Sequence, residues 1–207
     1  MQDEKRAEPR EDTVSSATSS PAGDVRPRRR IPVLALLPPL LFLVIAGFFY
    51  AGLGRDDQLP STMIGRPAPT VQAPPLGKLP VLTDEMIRAP EVKLVNFWAS
   101  WCLPCRAEHA QLMEMNRRGV KIYGVNYKDK PENGLGFLAE LGNPFHAIGT
   151  DRSGRMAIDW GVYGVPETFV IDPSGKVVLR FAGPITREVM ENTILPVIEK
   201  AAAGGGE

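Results

Sequence analysis

The apolar positions of this chain fall into two regimes. From residue 31 to 53, "IPVLALLPPLLFLVIAGFFYAGL", they run on without one charged side chain. From residue 92 onward they come in runs of strand length that alternate with stretches of helical spacing. "VKLVNFWA" (92–99) is a mostly apolar stretch, broken only by Lys93 and Asn96, in the manner of a buried central strand. "PCRAEHAQLMEMNRR" (104–118) predicts a helix, with proline in the first turn, where its missing N–H costs nothing, and Gly119 as its stop. "VKIYGVNY" (120–127) predicts a second strand, "PENGLGFLAELG" (131–142) a helix, and "GRMAIDWG" (154–161) a short one. "ETFVIDPSGKVVLRFAG" (167–183) reads as two strands around a DPSG turn, and "TREVMENTILPVIEKAA" (186–202) as a closing helix bent by Pro196. The expected order is β-α-β-α-(α)-β-β-α. Strand–helix–strand units imply parallel pairing through right-handed crossovers, and the late hairpin adds an antiparallel edge. The fold class is α/β with one core.

The first regime has a separate meaning. Residues 1–30 carry Ser, Pro, Glu and Arg, with Val14 and Val25 as the only branched aliphatics. Such a segment cannot bury enough apolar surface to offset its ordering entropy, and it is expected to be a disordered cytoplasmic tail. Residues 31–53 exceed the ~20 needed to cross a bilayer as a helix. Arg26, Arg28, Arg29 and Arg30 flank the N-terminal side, while Arg55, Asp56 and Asp57 follow the other. That asymmetry predicts a single transmembrane anchor with its N-terminus in the cytoplasm. Pro38 and Pro39 would kink it mid-span. A cleaved signal peptide has a shorter apolar core, ~7–15 residues, and a short charged lead, so an uncleaved anchor is the expectation. Either way the remainder is exported: a linker over 54–64, a domain over 65–200 with a Pro-rich lead-in (65–80), and a flexible tail over 201–207. In a bacterial cell this places the domain on the periplasmic face of the inner membrane, where disulfides persist.

Charge adds little. The 24 basic and 24 acidic side chains balance, and no basic stripe beyond Arg26–Arg30 points to nucleic acid.

The chemistry sits in "NFWASWCLPCRAEH" (96–109), which holds both cysteines of the chain, Cys102 and Cys105. A staple between residues so close constrains little of the unfolded chain. A metal site needs about four ligands, and adding His109 and His146 would have to join a helix start to a distant loop. A redox dithiol explains more. The pair falls where a buried strand ends and a helix begins, and the free N–H groups and dipole there favour a thiolate on Cys102. Cys105, one turn on and more enclosed, can attack a mixed disulfide and release the partner. No cofactor is expected beyond this redox-active pair.

Pro166, in "GVYGVPETFVID", precedes an apolar strand and cannot be an interior ladder member. A cis Val165–Pro166 bond would account for it and would leave the Val165 backbone free to pair with an extended substrate; an ordinary trans proline at the first residue of the strand is the other reading.

"NFWASWCLPC" together with "GVPETFVID" resembles the thioredoxin-like fold over about residues 65–200. Within it, "WCLPCRAEH", "YGVNYKDKPENGLGFLAELGNP", "DRSGRMAIDWGVYGVPETFVID" and the single anchor resemble the DsbE/CcmG thiol:disulfide interchange proteins of cytochrome c maturation. The resemblance implies a central mixed β-sheet flanked by helices. It also implies a reductant that takes electrons from a DsbD/CcdA-type membrane thiol reductase. With them it opens the disulfide in the haem-attachment CxxCH motif of apocytochrome c, directly or through other maturation proteins. Mapped onto this chain, Cys102 attacks, Cys105 resolves and Pro166 is the cis-proline facing them. The acidic residues that distinguish the family fall on Glu108 and Glu167, where a carboxylate would raise thiol pKa values and relay a proton. The buried acid of general thioredoxins is Asn96 here, which cannot take a proton. Trp101 is expected to be exposed near the substrate and Trp98 buried in the core. His109 is expected on the surface, and "YKDKPEN" (127–133) as a charged loop beside the groove. The rival functions are a general periplasmic thiol oxidase or isomerase, and a non-catalytic scaffold for maturation proteins.

Overall fold

The computed structural model describes residues 36–52 and 63–204. They belong to two units, one holding helix α1 and the other beginning before Met63. The predicted tail (1–30) and most of the predicted linker lie outside the described residues; Met63, inside the predicted linker, packs against the core of the second unit.

Helix α1 (Leu37–Gly52) is 16 residues long, roughly 24 Å at ~1.5 Å per residue, against a bilayer core of about 30 Å. Among the described residues, no helix is long and apolar enough to cross a membrane; residues 31–35 and 53 of the predicted span fall outside them. Pro38 and Pro39, expected to kink the middle, stand in the first turn instead. No intrahelical N–H is lost there.

The second unit is a five-stranded mixed sheet in the order β3-β2-β1-β4-β5. Strand β1 (Lys93–Trp98) lies at its centre and is buried along its whole length. It runs parallel to β2 (Lys121–Tyr127) and antiparallel to β4 (Glu167–Ile171). β2 pairs in parallel with β3 (Ala147–Asp151), and β4 pairs antiparallel with β5 (Val177–Ala182). Alternation along β1 fills two cores. Leu94 and Trp98 face Leu112 and Met115 of α3 (Leu103–Arg117) and Phe137 of α4 (Pro131–Leu141). Val95 and Phe97 face Trp160 and Phe169 on the other side, beyond α5 (Arg155–Asp159).

The parallel pair, the late hairpin and the helices between them match the sequence expectation. Two elements had no strong signal. β3 is short, with Gly149 and Thr150 inside it, and its outer edge is closed by the Pro-rich lead-in rather than by another strand. Ile148 and Thr150 donate to the carbonyls of Pro80 and Pro74 at 2.8 Å, and a Cβ on Gly149 would stand 2.2 Å from that of Ala73. The other is the one-turn-scale helix α2 (Asp84–Arg88), just after the lead-in. At its end the buried Lys93 ammonium donates to the carbonyls of Ile87 and Ala89, and burial lowers its pKa.

The closing helix is built in three pieces: α6 (Arg187–Val189), a π-helical turn (Met190–Ile194) and α7 (Leu195–Gly204). Leu195 donates back to the Met190 carbonyl, five residues away, so the ladder has already slipped one residue when Pro196 arrives without an N–H. α7 runs through Ala201–Ala203 to Gly204, beyond the predicted domain end at 200.

Candidate active site

Cys102 stands just after β1, as the N-cap of α3, with extended backbone (φ −87°, ψ 106°). Pro104 occupies the first turn. Three residues on, the Cys105 N–H donates to Cys102 Sγ at 3.1 Å, taking up one of the donors that a helix start leaves unpaired. The two sulfurs form a disulfide with 5.3 Å between the Cα atoms. Both cysteines are buried, Cys102 at 4% exposure and Cys105 at 2%.

The Val165–Pro166 peptide is cis, which settles between the two readings of that bond. The Val165 carbonyl oxygen lies 3.4 Å from Cys102 Sγ. Pro166 follows it immediately before β4, and its own carbonyl accepts from Gly183 N–H at 3.0 Å. Trp101 is 59% exposed beside the pair, with its indole N–H donating to the Lys128 carbonyl at 3.2 Å; Leu103 and Tyr163 are exposed as well. Trp98 is core, stacked on Phe145 with ring centroids 5.6 Å apart.

The two acids differ in their partners. Glu108 lies one turn beyond Cys105 and is fully buried. Its Oε1 accepts from Asn96 Nδ2 at 2.9 Å and its Oε2 from the Ile185 N–H at 2.9 Å. Burial pushes its pKa up to about 7, against the pull of the Ile185 and Asn96 hydrogen bonds. It can thus hold or release a proton near neutrality. Glu167 is also buried, but ion-paired with Arg180, and it accepts the Tyr163 N–H at 3.1 Å. Arg180 in turn lies over the Tyr163 ring at 4.4 Å. Glu167 is a clamp on the loop leading to Pro166, with its charge already matched.

His109 departs from expectation. It is buried, not on the surface: Nε2 lies 3.0 Å from the Gly142 carbonyl, the ring meets Phe137 edge-on at 5.1 Å, and burial lowers its pKa. It ties α3 to the end of α4. His146 is far along the chain and spends Nδ1 on the Ile122 N–H at 3.3 Å.

One residue escaped the sequence reading. Within the expected charged loop, Asp129 is 7% exposed and clamps the turn before the dithiol. It accepts from Ser100 N–H (2.7 Å), Ser100 Oγ (2.8 Å), Asn126 Nδ2 (2.9 Å) and its neighbour Lys130 N–H (2.8 Å). An acid between two lysines looks like solvated charge, and only the buried Asn126 three residues earlier hints otherwise.

The Redoxin family matches residues 63–197, which contain this whole arrangement. The thiol:disulfide interchange protein DsbE homolog of Paracoccus denitrificans is 53% identical over 176 residues, covering 84% of this chain and 98% of that one. The chain belongs to the DsbE-type thiol:disulfide interchange proteins. HelX of Rhodobacter capsulatus, also a thiol:disulfide interchange protein, is 45% identical over 172 residues, or 79% of this chain and 98% of its own. Among solved structures, a putative DsbE from Chlorobium tepidum superposes with a TM-score of 0.57 at 29% identity, covering 69% of this chain and 99% of that one. This DsbE-type chain is a thiol:disulfide oxidoreductase of the thioredoxin superfamily, with Cys102 and Cys105 as its only cysteines.

Proposed function

We propose that this chain is a membrane-anchored reductant in cytochrome c biogenesis, opening the CxxCH disulfide of apocytochrome c on the periplasmic face of the inner membrane. The observation that carries the reading is the Cys102–Cys105 pair at a helix N-terminus with an acid of near-neutral pKa one turn below it.

In the reduced protein the Cys102 thiolate, stabilised by the α3 dipole and the Cys105 N–H, attacks one sulfur of the client disulfide. A mixed disulfide forms and the other client sulfur leaves as a thiolate. The Val165 backbone, held by the cis peptide and by the Glu167–Arg180 clamp, offers an edge for the extended client chain. Trp101, exposed beside Cys102, contacts the same segment. Glu108 accepts the Cys105 proton, and the Cys105 thiolate attacks Cys102 Sγ, closing the internal disulfide and freeing the second client thiol. Two electrons pass from the dithiol to the client. A DsbD/CcdA-type membrane thiol reductase restores the dithiol, and other maturation proteins receive or present the client. Residues 31–53 serve as the single anchor, supported by their unbroken apolar run and the arginines before it.

In a strain carrying Cys102→Ser, holocytochrome c should be lost while other exported disulfide proteins form normally. Normal holocytochrome c in that strain contradicts the proposal. A general oxidase would instead show a reduction potential near −120 mV, against values near or below about −270 mV for a thioredoxin-like reductant.

A further inference from the structure

Glu108 is held by two donors, and one of them can reverse. Asn96 Nδ2 gives one hydrogen to Glu108 Oε1 at 2.9 Å and the other to Thr168 Oγ1 at 3.0 Å, so both amide hydrogens are used. Its Oδ1 is buried and has no hydrogen-bond partner. Half a turn of the side-chain amide exchanges Oδ1 and Nδ2 with almost no change of shape. Oδ1 would then face the same two neighbours with two lone pairs. A protonated Glu108 and the Thr168 hydroxyl have two hydrogens to donate to them. In the turned orientation Nδ2, with two N–H donors, takes the unpartnered place that Oδ1 holds now, so the turn has a cost that the hydrogen bond from a protonated Glu108 must outweigh. What Glu108 presents decides the rest: a carboxylate needs N–H, and a carboxylic acid needs an acceptor.

We infer that Asn96 is a positioning residue for Glu108, turning its amide over as Glu108 gains and loses a proton. Both protonation states of the acid then find a partner inside the core. An apolar residue on β1 would serve neither state, and an aspartate would set a second acid within hydrogen-bond distance of the first. The surroundings leave this assignment to Asn96. β4 contributes Thr168, the segment before α6 contributes the Ile185 N–H, and α3 itself contributes Cys105 one turn back. Glu167 precedes Thr168 and so points to the opposite face of β4, where it meets Arg180. Burial and the hydrogen bonds from Ile185 and Asn96 are the causes of the Glu108 shift.

The functional consequence rests on the proposed reading. When Cys105 loses its proton to Glu108, the Cys105–Cys102 bond forms, the Cys102–client bond breaks and the client sulfur leaves with the electron pair. The acid formed at Glu108 then keeps its proton by donating it to the turned amide.

The test uses the oxidised full-length chain in detergent, labelled for NMR, because neither sulfur titrates in that state. The Asn96 side-chain NH2 resonances and the Glu108 carboxyl carbon should move together with one midpoint. On the acidic side, contacts from the Asn96 amide protons to Thr168 should disappear. Asn96→Leu should move the Glu108 midpoint up by about one pH unit, a tenfold change, since a charge-assisted bond exceeds the neutral one lost with it. An Asn96 amide that stays fixed while Glu108 titrates overturns the inference, as does an unchanged midpoint in Asn96→Leu. Should that variant not fold, the wild-type titration decides alone. Either negative result leaves the reductase proposal standing, because no turnover is measured.

Discussion

The backbone N–H of Cys105 points at the Sγ of Cys102 across 3.1 Å. The helix start that holds the second sulfur thus donates a hydrogen bond to the first. In the disulfide this is a modest contact; in the dithiol it becomes a charge-assisted one to a thiolate, of the stronger class. The same 3.1 Å arrangement therefore favours both the nucleophile and its role as leaving group when the pair is reduced again.

Order of attack follows from this asymmetry. Cys105→Ser should accumulate a mixed disulfide through Cys102, identifiable by mass spectrometry of the trapped partner. Cys102→Ser should trap little, because it removes the sulfur that the Cys105 N–H stabilises as a thiolate. Equal trapping by both variants would remove the distinction.

Glu108 makes stability depend on pH in the less common direction for a carboxylate. Its folded pKa, about 7, lies above the 4.5 of an ordinary glutamate. Between those values the folded state binds the extra proton, so its contribution is full below about 4.5 and is lost as pH rises to about 7. The loss amounts to roughly 3 kcal/mol. Denaturant titrations of the oxidised protein should show this fall, and Glu108→Gln should flatten it. A wild-type stability that rises over that interval while the variant shows the same slope would contradict the assignment.

Asp129 should matter more than a loop acid. Asp129→Ala strands the Ser100 N–H and the Asn126 amide, each costing about 1–3 kcal/mol when buried without a partner. The variant should lose stability by a few kcal/mol and also slow thiol exchange, since Ser100 fixes the turn into Cys102. Wild-type behaviour on both counts would reduce Asp129 to surface charge.

Gly149→Ala places a methyl against Ala73, where the gap is 2.2 Å. Overpacking of this kind costs about 1–3 kcal/mol. The loss should be smaller in Ala73→Gly/Gly149→Ala, which restores the space. Equal losses in the single and double variants would mean that the lead-in does not seal β3.

The legible parts of the fold were those whose residues stand on one clean period. β1 reads as a strand because Leu94, Val95, Phe97 and Trp98 crowd large apolar side chains into a strand-length run, and α3 because Pro104 and Gly119 bracket it. β3 was silent because its pairing depends on the lead-in passing along its edge, a contact between residues some seventy positions apart that leaves no local pattern. The two sulfurs and Pro166 were legible because strand end, helix start and proline each carry a backbone constraint. Burial of Glu108, His109 and Asp129 was not: each is polar on a surface-like stretch, and its partners come from Ile185, Gly142 and Ser100, elsewhere in the chain.

The most direct measurement is the ionisation of Cys102 in the reduced protein, followed by thiolate absorbance, with Cys105→Ser to isolate the signal. Cys102 should be half-ionised well below the ~8.5 of a free cysteine. A midpoint at or above that value would mean that the helix start does not activate the sulfur, and the account of Cys102 as the attacking group would be wrong.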